Sequence, residues 1–73
     1  MTKTWTHKVV KKQRGMQGEW FAYPAAVTFS AESEARQYAQ AFAASQSAAG
    51  VVGTRITVQT RGGHVVVSYP VGH

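Results

Sequence analysis

The chain has 73 residues, so we expect a single small domain spanning residues 1–73. It contains no cysteine, which excludes disulfides, zinc–thiolate sites and thiol nucleophiles, and no apolar run approaches the roughly 18 residues that cross a membrane. Eight Lys and Arg residues against three acidic ones give a formal charge of +5, which indicates either an anionic partner or charge kept for solubility. Polar and aromatic residues 1–7 do not resemble a signal peptide, so we expect a cytoplasmic location.

The first part of the chain predicts a two-stranded hairpin. Residues 4–12 mix β-branched and charged side chains, which is typical of an exposed or edge strand. Residues 13–18, with glycines at positions 15 and 18, predict a loose turn, and residues 19–23 predict a short aromatic strand. Pro24 is expected to end that strand, because proline has no backbone N–H to donate.

The middle of the chain predicts one helix at about residues 31–48. Ser30 is the expected N-terminal cap, and Glu32 and Glu34 complement the positive end of the helix dipole. Gly50 or Gly53 offers the C-terminal stop. The stripe expected to face a sheet recurs at helical spacing and consists of Ala35, Tyr38, Ala39, Phe42 and Ala43.

The last part of the chain predicts a second hairpin. Residues 54–60 alternate, with Ile56 and Val58 on one face and Arg55, Thr57 and Gln59 on the other. Glycines 62 and 63 predict a tight turn into a strand over residues 64–69. We expect proline 70 to close this strand, and residues 68–73 to be ordered for a residue or two and then to form a free tail.

These elements predict an α+β fold of the ββαββ type, with one helix packed on a four-stranded, mostly antiparallel sheet. Simple alternation along the last strand places Val65, Val67 and Tyr69 on one side. It places Val66 on the other, where Phe21 is expected to join it on the face that the helix leaves uncovered. Apolar surface there indicates a possible homodimer, formed through the last strand or the uncovered face.

The residue inventory argues against catalysis, and we expect no enzyme activity, no cofactor and no metal. Two of the three glutamates lie at the helix start, where the dipole accounts for them, and Glu19 stands alone. The chain has no GxxxxGK, GxGxxG or GxSxG motif. Three histidines show no ligand spacing: His7, His64 and His73.

The strongest functional signal is a concentration of positive charge on the first hairpin. Half of all Lys and Arg residues fall within positions 8–14, and a basic hairpin of this kind can follow a phosphate backbone. The alternative is an edge strand whose lysines prevent sheet-to-sheet pairing. The predicted binding residues, including two from the third strand and its turn, are Lys8, Lys11, Lys12, Arg14, Arg55 and Arg61.

Aromatic residues interleave with these charges at Trp5, Trp20, Phe21 and Tyr23. Exposed rings beside lysines would let unpaired bases stack, but a domain this small needs its aromatics for packing, and we expect these in the core. The RGG sequence at 61–63 is similar to an RNA-binding repeat. As a single copy between two strands, it is better explained as a turn.

The succession of elements resembles small bacterial and phage ββαββ proteins, mostly of unknown function. The resemblance is carried by the glycine turn before Trp20, the helix start at Phe29-Ser30, the spacing of Ala35 and Ala39, and the second glycine turn. Some phage anti-CRISPR inhibitors share this architecture.

Our first prediction is a non-catalytic module that binds nucleic acid with low sequence specificity. The alternative that the resemblance implies is a phage or mobile-element-encoded inhibitor of a host nucleic-acid-handling complex, with an acidic protein surface as partner.

Overall fold

The computed structural model describes residues 4–72, apart from the side chains of residues 24 and 25; the predicted tail residue His73 lies outside the described residues. One helix packs on a four-stranded sheet with strand order β2-β1-β3-β4, and every neighbouring pair is antiparallel. The predicted α+β fold is confirmed. No helix in this part of the chain is long and apolar enough to span a membrane. The elements are β1 (His7–Arg14), β2 (Trp20–Phe29), α1 (Glu32–Ala48), β3 (Thr54–Thr60) and β4 (Val65–Val71).

The basic strand β1 lies inside the sheet, hydrogen-bonded to β2 on one side and to β3 on the other. The prediction of an edge strand was therefore wrong. Val9 and Val10 are adjacent in the chain and both buried, at 3% and 5% exposure, so each face of the strand has a buried residue. A basic strand can lie inside a sheet because long basic side chains can cover apolar surface and still reach solvent.

Both strands that contain proline are edge strands. β2 continues beyond Pro24 to Phe29, and β4 continues beyond Pro70 to Val71, so the predictions that proline ends each strand were wrong. Proline is tolerated in an edge strand, where a missing N–H need not break a ladder. In the β1–β2 ladder, Val10 pairs with Ala26 and Lys12 with Ala22, so β2 contains two extra residues between these pairs. Because the number of extra residues is even, the side chains of β2 keep the same alternation between the two faces of the sheet before and after the irregularity.

The main core lies between α1 and the sheet. It is formed by Val9, Ala35, Ala39, Ala43, Ile56, Val58 and Val71. Ile56 and Val58 are fully buried, as predicted, and the alanines let the helix lie close to the strands. Val71 is 1% exposed, so the end of the chain contributes to the core through that residue, contrary to the expectation of a tail.

An extra residue in β4 changes which of its side chains face the helix. Val67 pairs with Val58 but Val65 pairs with Gln59, so Val66 is the additional residue of a bulge. Val66 packs against the core together with Val67, while Val65 is 46% exposed on the opposite face. The predicted alternation was therefore wrong for Val65 and Val66, because a one-residue bulge reverses the facing of every residue beyond it.

The predictions for the helix ends and the turns were partly correct. The N-cap of α1 is Ala31, without a side-chain hydrogen bond, so Ser30 lies one residue too early to cap it. Gly50, with φ of 82°, ends the helix as predicted: its N–H donates to the Ser47 carbonyl, and the following N–H donates to the Gln46 carbonyl, each at 3.0 Å. The RGG sequence forms the β3–β4 turn, where the Thr60 N–H donates to the His64 carbonyl at 2.8 Å.

Candidate nucleic-acid interface

Alternation along β1 divides its side chains between the two faces of the sheet. His7 and Lys11 reach the helix, with His7 Nε2 3.6 Å from Glu32 Oε1 and Lys11 Nζ donating to Gln46 Oε1 at 2.9 Å. Even-numbered residues of β1 must therefore lie on the other side. We call that side the open face, and its β1 residues are Lys8, Val10, Lys12 and Arg14.

Four of the predicted binding residues meet on the open face. Lys12 is directly opposite Arg55 of β3, which places two positive side chains side by side. Lys8 and Arg14 flank Lys12 on the same face of β1, four residues before it and two residues after it. Like charges directly opposite on neighbouring strands destabilise a sheet, and their Cβ atoms lie roughly 5 Å apart. The open face therefore carries an electrostatic cost that an anionic ligand would relieve.

No carboxylate compensates these charges in the part of the chain that the structure describes. Glu32 and Glu34 lie in the first turn of α1, on the covered side of the sheet, and Glu19 lies in the β1–β2 turn, where its Oε1 accepts from the Gln17 N–H at 3.0 Å. Glu32 is already engaged by Arg36, whose Nε donates to Glu32 Oε2 at 2.8 Å; this hydrogen bond raises the pKa of the Arg36 guanidinium.

Lys11 lies on the opposite side of the sheet from Lys12, although the two residues are neighbours in the sequence. Besides its hydrogen bond to the helix, its Nζ lies 4.8 Å from the ring centroid of Tyr23 and 6.0 Å from that of Phe42. These contacts hold the ammonium group against protein surface. The structure therefore does not bring Lys11 together with the other lysines, and the alternation of β1 already contained the signal that separates them.

Arg61 lies in the β3–β4 turn and is also separate from the cluster. Its Cζ lies 4.8 Å from the ring centroid of Trp5, and its Nη1 donates to the Trp5 carbonyl at 3.3 Å. The Arg61 N–H donates to the Thr6 carbonyl at 2.8 Å. These contacts attach the segment before β1 to the turn, at the end of the sheet away from Arg14.

The contact between Trp20 and Arg55 was not predicted from the sequence. Trp20 belongs to β2 and Arg55 to β3, yet the guanidinium carbon lies 4.7 Å from the indole ring centroid, so the ring reaches across β1. Trp20 is 38% exposed. Arg55 Nε is buried and has no hydrogen-bond partner among the described residues. Beside this pair lies a bay of about 120 Å³, lined by Lys12, Trp20, Arg55, Thr57, Val65 and Ser68.

Exposed aromatic residues also occur on the helix side of β2, which α1 leaves partly uncovered. Phe21 is 59% exposed and pairs with Gln13, an odd-numbered β1 residue, so its predicted place on the uncovered face was wrong. Tyr23 is 39% exposed, and its hydroxyl donates to Gln13 Oε1 at 2.7 Å. The expectation of core positions was wrong for Trp20, Phe21 and Tyr23. We call the exposed group on this side the β2 aromatic surface; it consists of Phe21, Tyr23, Val27 and Tyr38.

Metal-ligating side chains are dispersed among the described residues 4–72. No group of three or more His, Cys, Asp or Glu residues there lies close enough to hold a metal ion. A hollow of about 230 Å³ lies between the helix start and the segment before β1, and its one acidic side chain is Glu34. A single carboxylate there offers no acid–base pair.

Comparison with known protein families, with curated proteins and with solved structures found no match to this chain. The resemblance to small phage proteins therefore stays a prediction, and the functional argument depends on the chain's own residues.

Proposed function

We propose that this chain is a non-catalytic module that binds nucleic acid through the open face with low sequence specificity. The observation that carries the proposal is the direct pairing of Lys12 with Arg55, flanked by Lys8 and Arg14, with no carboxylate among the described residues of that face. Phosphate groups repeated along a strand are the anions that a row of cations matches best.

The alternative explanation of the lysines as edge protection does not apply to β1. Lysines blunt an edge by making its unpaired backbone groups unattractive to another sheet. β1 has no unpaired edge, since β2 and β3 occupy both sides of it. Its cations at even positions project from the middle of the open face, where they add nothing to edge protection but meet any ligand lying on the sheet.

Low specificity follows from the kind of groups present. Lysine ammonium groups contact phosphates as point charges and carry no base information. The open face presents Arg55 with its guanidinium stacked on an indole, an arrangement that favours contact with flat surfaces over bidentate reading of one base pair. We therefore expect affinity to depend mainly on salt and strand length.

Two adjacent lysines provide a matched test. Lys12→Ala and Lys11→Ala remove the same charge from neighbouring positions, but only Lys12 lies on the open face. In fluorescence anisotropy titrations with a labelled mixed-sequence strand, four phosphate contacts give a slope of log affinity against log salt near −2.8 (about −0.7 each), so binding weakens about 50-fold between 50 and 200 mM salt. Lys12→Ala should reduce the slope by about 0.7, whereas Lys11→Ala should leave it unchanged.

Equal effects of the two variants would refute binding through the open face. Binding that does not depend on salt would refute the electrostatic basis of the proposal. Absence of any binding at low salt would refute the function itself.

A second candidate function is a protein-interaction module, as in the predicted phage-type inhibitor. The β2 aromatic surface favours it, because exposed rings on the helix side of an edge strand suit contact with a protein. The basic residues would then meet an acidic protein surface, or the exposed rings would pair two copies of the chain. This candidate is preferred if no nucleic acid binds at low salt, and a monomeric mass by light scattering at high concentration would remove the homodimer.

A further inference from the structure

Resting on the proposed function, we propose that the open face binds single-stranded nucleic acid in preference to duplex, with one unpaired base stacking on Trp20 beside Arg55. The observation behind this proposal is independent of the row of cations. It is the exposed indole and the buried, unpartnered nitrogen of the arginine beneath it.

The indole of Trp20 is placed as a stacking platform. It reaches across β1 to lie 4.7 Å from the Arg55 guanidinium, so one face of the ring is occupied by a cation. More than a third of the residue stays accessible to solvent. A base that stacks on the free surface needs no particular edge, because every base has a π-face. Bases in a duplex are stacked on each other and cannot reach such a ring.

Arg55 contributes an unused hydrogen-bond donor next to this platform. Its Nε is buried without a partner among the described residues, and a buried donor without an acceptor is unfavourable. The adjoining bay also contains two hydroxyl groups, Thr57 Oγ1 and Ser68 Oγ, which lie 3.3 Å apart and can each donate or accept. The two hydroxyl groups can donate to acceptor atoms of any base edge that enters the bay, without selecting one base.

The size of the bay limits what can enter it. Its volume of about 120 Å³ equals roughly four water molecules at about 30 Å³ each, well below the roughly 300 Å³ at which pockets for whole ligands begin. One edge of a planar ring fits this volume, with its sugar and phosphate left outside near Lys12. The bay therefore suits a single unpaired base within a longer strand.

The breadth of the sheet argues against a duplex groove. Four strands spaced about 4.8 Å apart span roughly 14 Å before side chains are added. The major groove of B-DNA is about 12 Å wide and admits a helix or a two-stranded ribbon. A duplex could therefore contact the open face only through its outer phosphates. These would bind the cations, but no base would reach Trp20.

The test compares strands that differ only in whether bases are present and paired. An eight-nucleotide thymidine strand, an abasic strand of equal length and a duplex of equal length are titrated into the protein at low salt. We expect the thymidine strand to bind about tenfold tighter than the abasic strand, as one stacked base would give, and tighter than the duplex, whose bases cannot reach Trp20. In a Trp5→Phe variant, where Trp20 is the remaining tryptophan, the thymidine strand should quench the fluorescence and the abasic strand should not.

Substitutions at the platform provide matched controls. Trp20→Phe keeps an aromatic ring and should retain most of the preference, whereas Trp20→Leu keeps apolar bulk and should abolish it. Equal affinity for all three nucleic acids, with the expected salt dependence, would overturn this inference and leave the proposed function standing. Absence of binding to any of them would overturn both, and the strand comparison in the unaltered protein does not depend on whether a variant folds.

Discussion

Replacing Lys12 by Gln should stabilise the free protein even though it weakens the proposed binding. Lys12 is directly opposite Arg55 on the neighbouring strand, and no described carboxylate on that face offsets the pair. Gln keeps most of the aliphatic stem beside buried Val10 and leaves the contact between Arg55 and Trp20 in place. The substitution therefore removes the repulsion with little loss of packing.

The expected gain follows from the geometry of the pair. Like charges opposite each other on neighbouring strands change stability by roughly 0.2–1 kcal/mol, and we take about 0.5 kcal/mol for partly exposed side chains. In a domain of this size that raises the melting temperature by about 2–4 °C. Thermal unfolding followed by circular dichroism at 10 mM and at 1 M salt measures it. The Debye length falls from about 30 Å to about 3 Å between these conditions, so the difference should disappear at 1 M.

Lys11→Gln is the control, and its predicted change has the opposite sign. Lys11 donates a partly buried hydrogen bond to Gln46 and lies over the Tyr23 ring. Losing a hydrogen bond of this kind costs about 1 kcal/mol, so the melting temperature should fall by about 4–8 °C at either salt concentration. The reasoning is refuted if Lys12→Gln lowers the melting temperature at low salt, or if its effect is the same at 10 mM and 1 M.

Two further substitutions test the fold that supports the open face. Ala39→Leu should destabilise the domain by about 1–3 kcal/mol in urea denaturation, because Ala39 is fully buried between α1 and the sheet. Ala41→Leu, on the exposed side of the same helix, should be nearly neutral. Equal stabilities of the two variants would contradict the close helix–sheet contact. Val67→Thr should cost at least about 1 kcal/mol, while Val65→Thr should change stability little, and the reverse result would contradict the bulge at Val66.

Local patterns predicted the elements better than their arrangement. The bounds of β3 at Thr54–Thr60 agree with the predicted strand, since alternation there is regular and Gly63 supplies the positive φ of the turn. The position of β1 inside the sheet depends on pairing with β3, more than forty residues away, which no local pattern reports. One local sign was present: Val9 and Val10 are consecutive apolar residues, which indicates burial on both faces of a strand.

The same distinction applies to the candidate site. The alternation of β1 was sufficient to separate Lys11 from Lys12, because residues one apart in a strand face opposite ways. Finding Trp20 beside Arg55 required the strand order, since the two residues belong to strands that are not neighbours. The bulge in β4 was equally hidden, because the run of valines from 65 to 67 gives no sign of which one is additional.

The two faces of β1 offer an argument that the positive charge is not there for solubility alone. Charge kept for solubility needs only to be spread over the surface with both signs mixed. On the helix side, His7 and Lys11 each have a partner on α1, whereas on the open face Lys12 faces another cation across the ladder. One strand thus satisfies its basic residues on one side and concentrates unsatisfied ones on the other. That asymmetry lowers the stability of the free domain, and a ligand carrying regularly spaced negative charge would remove the cost.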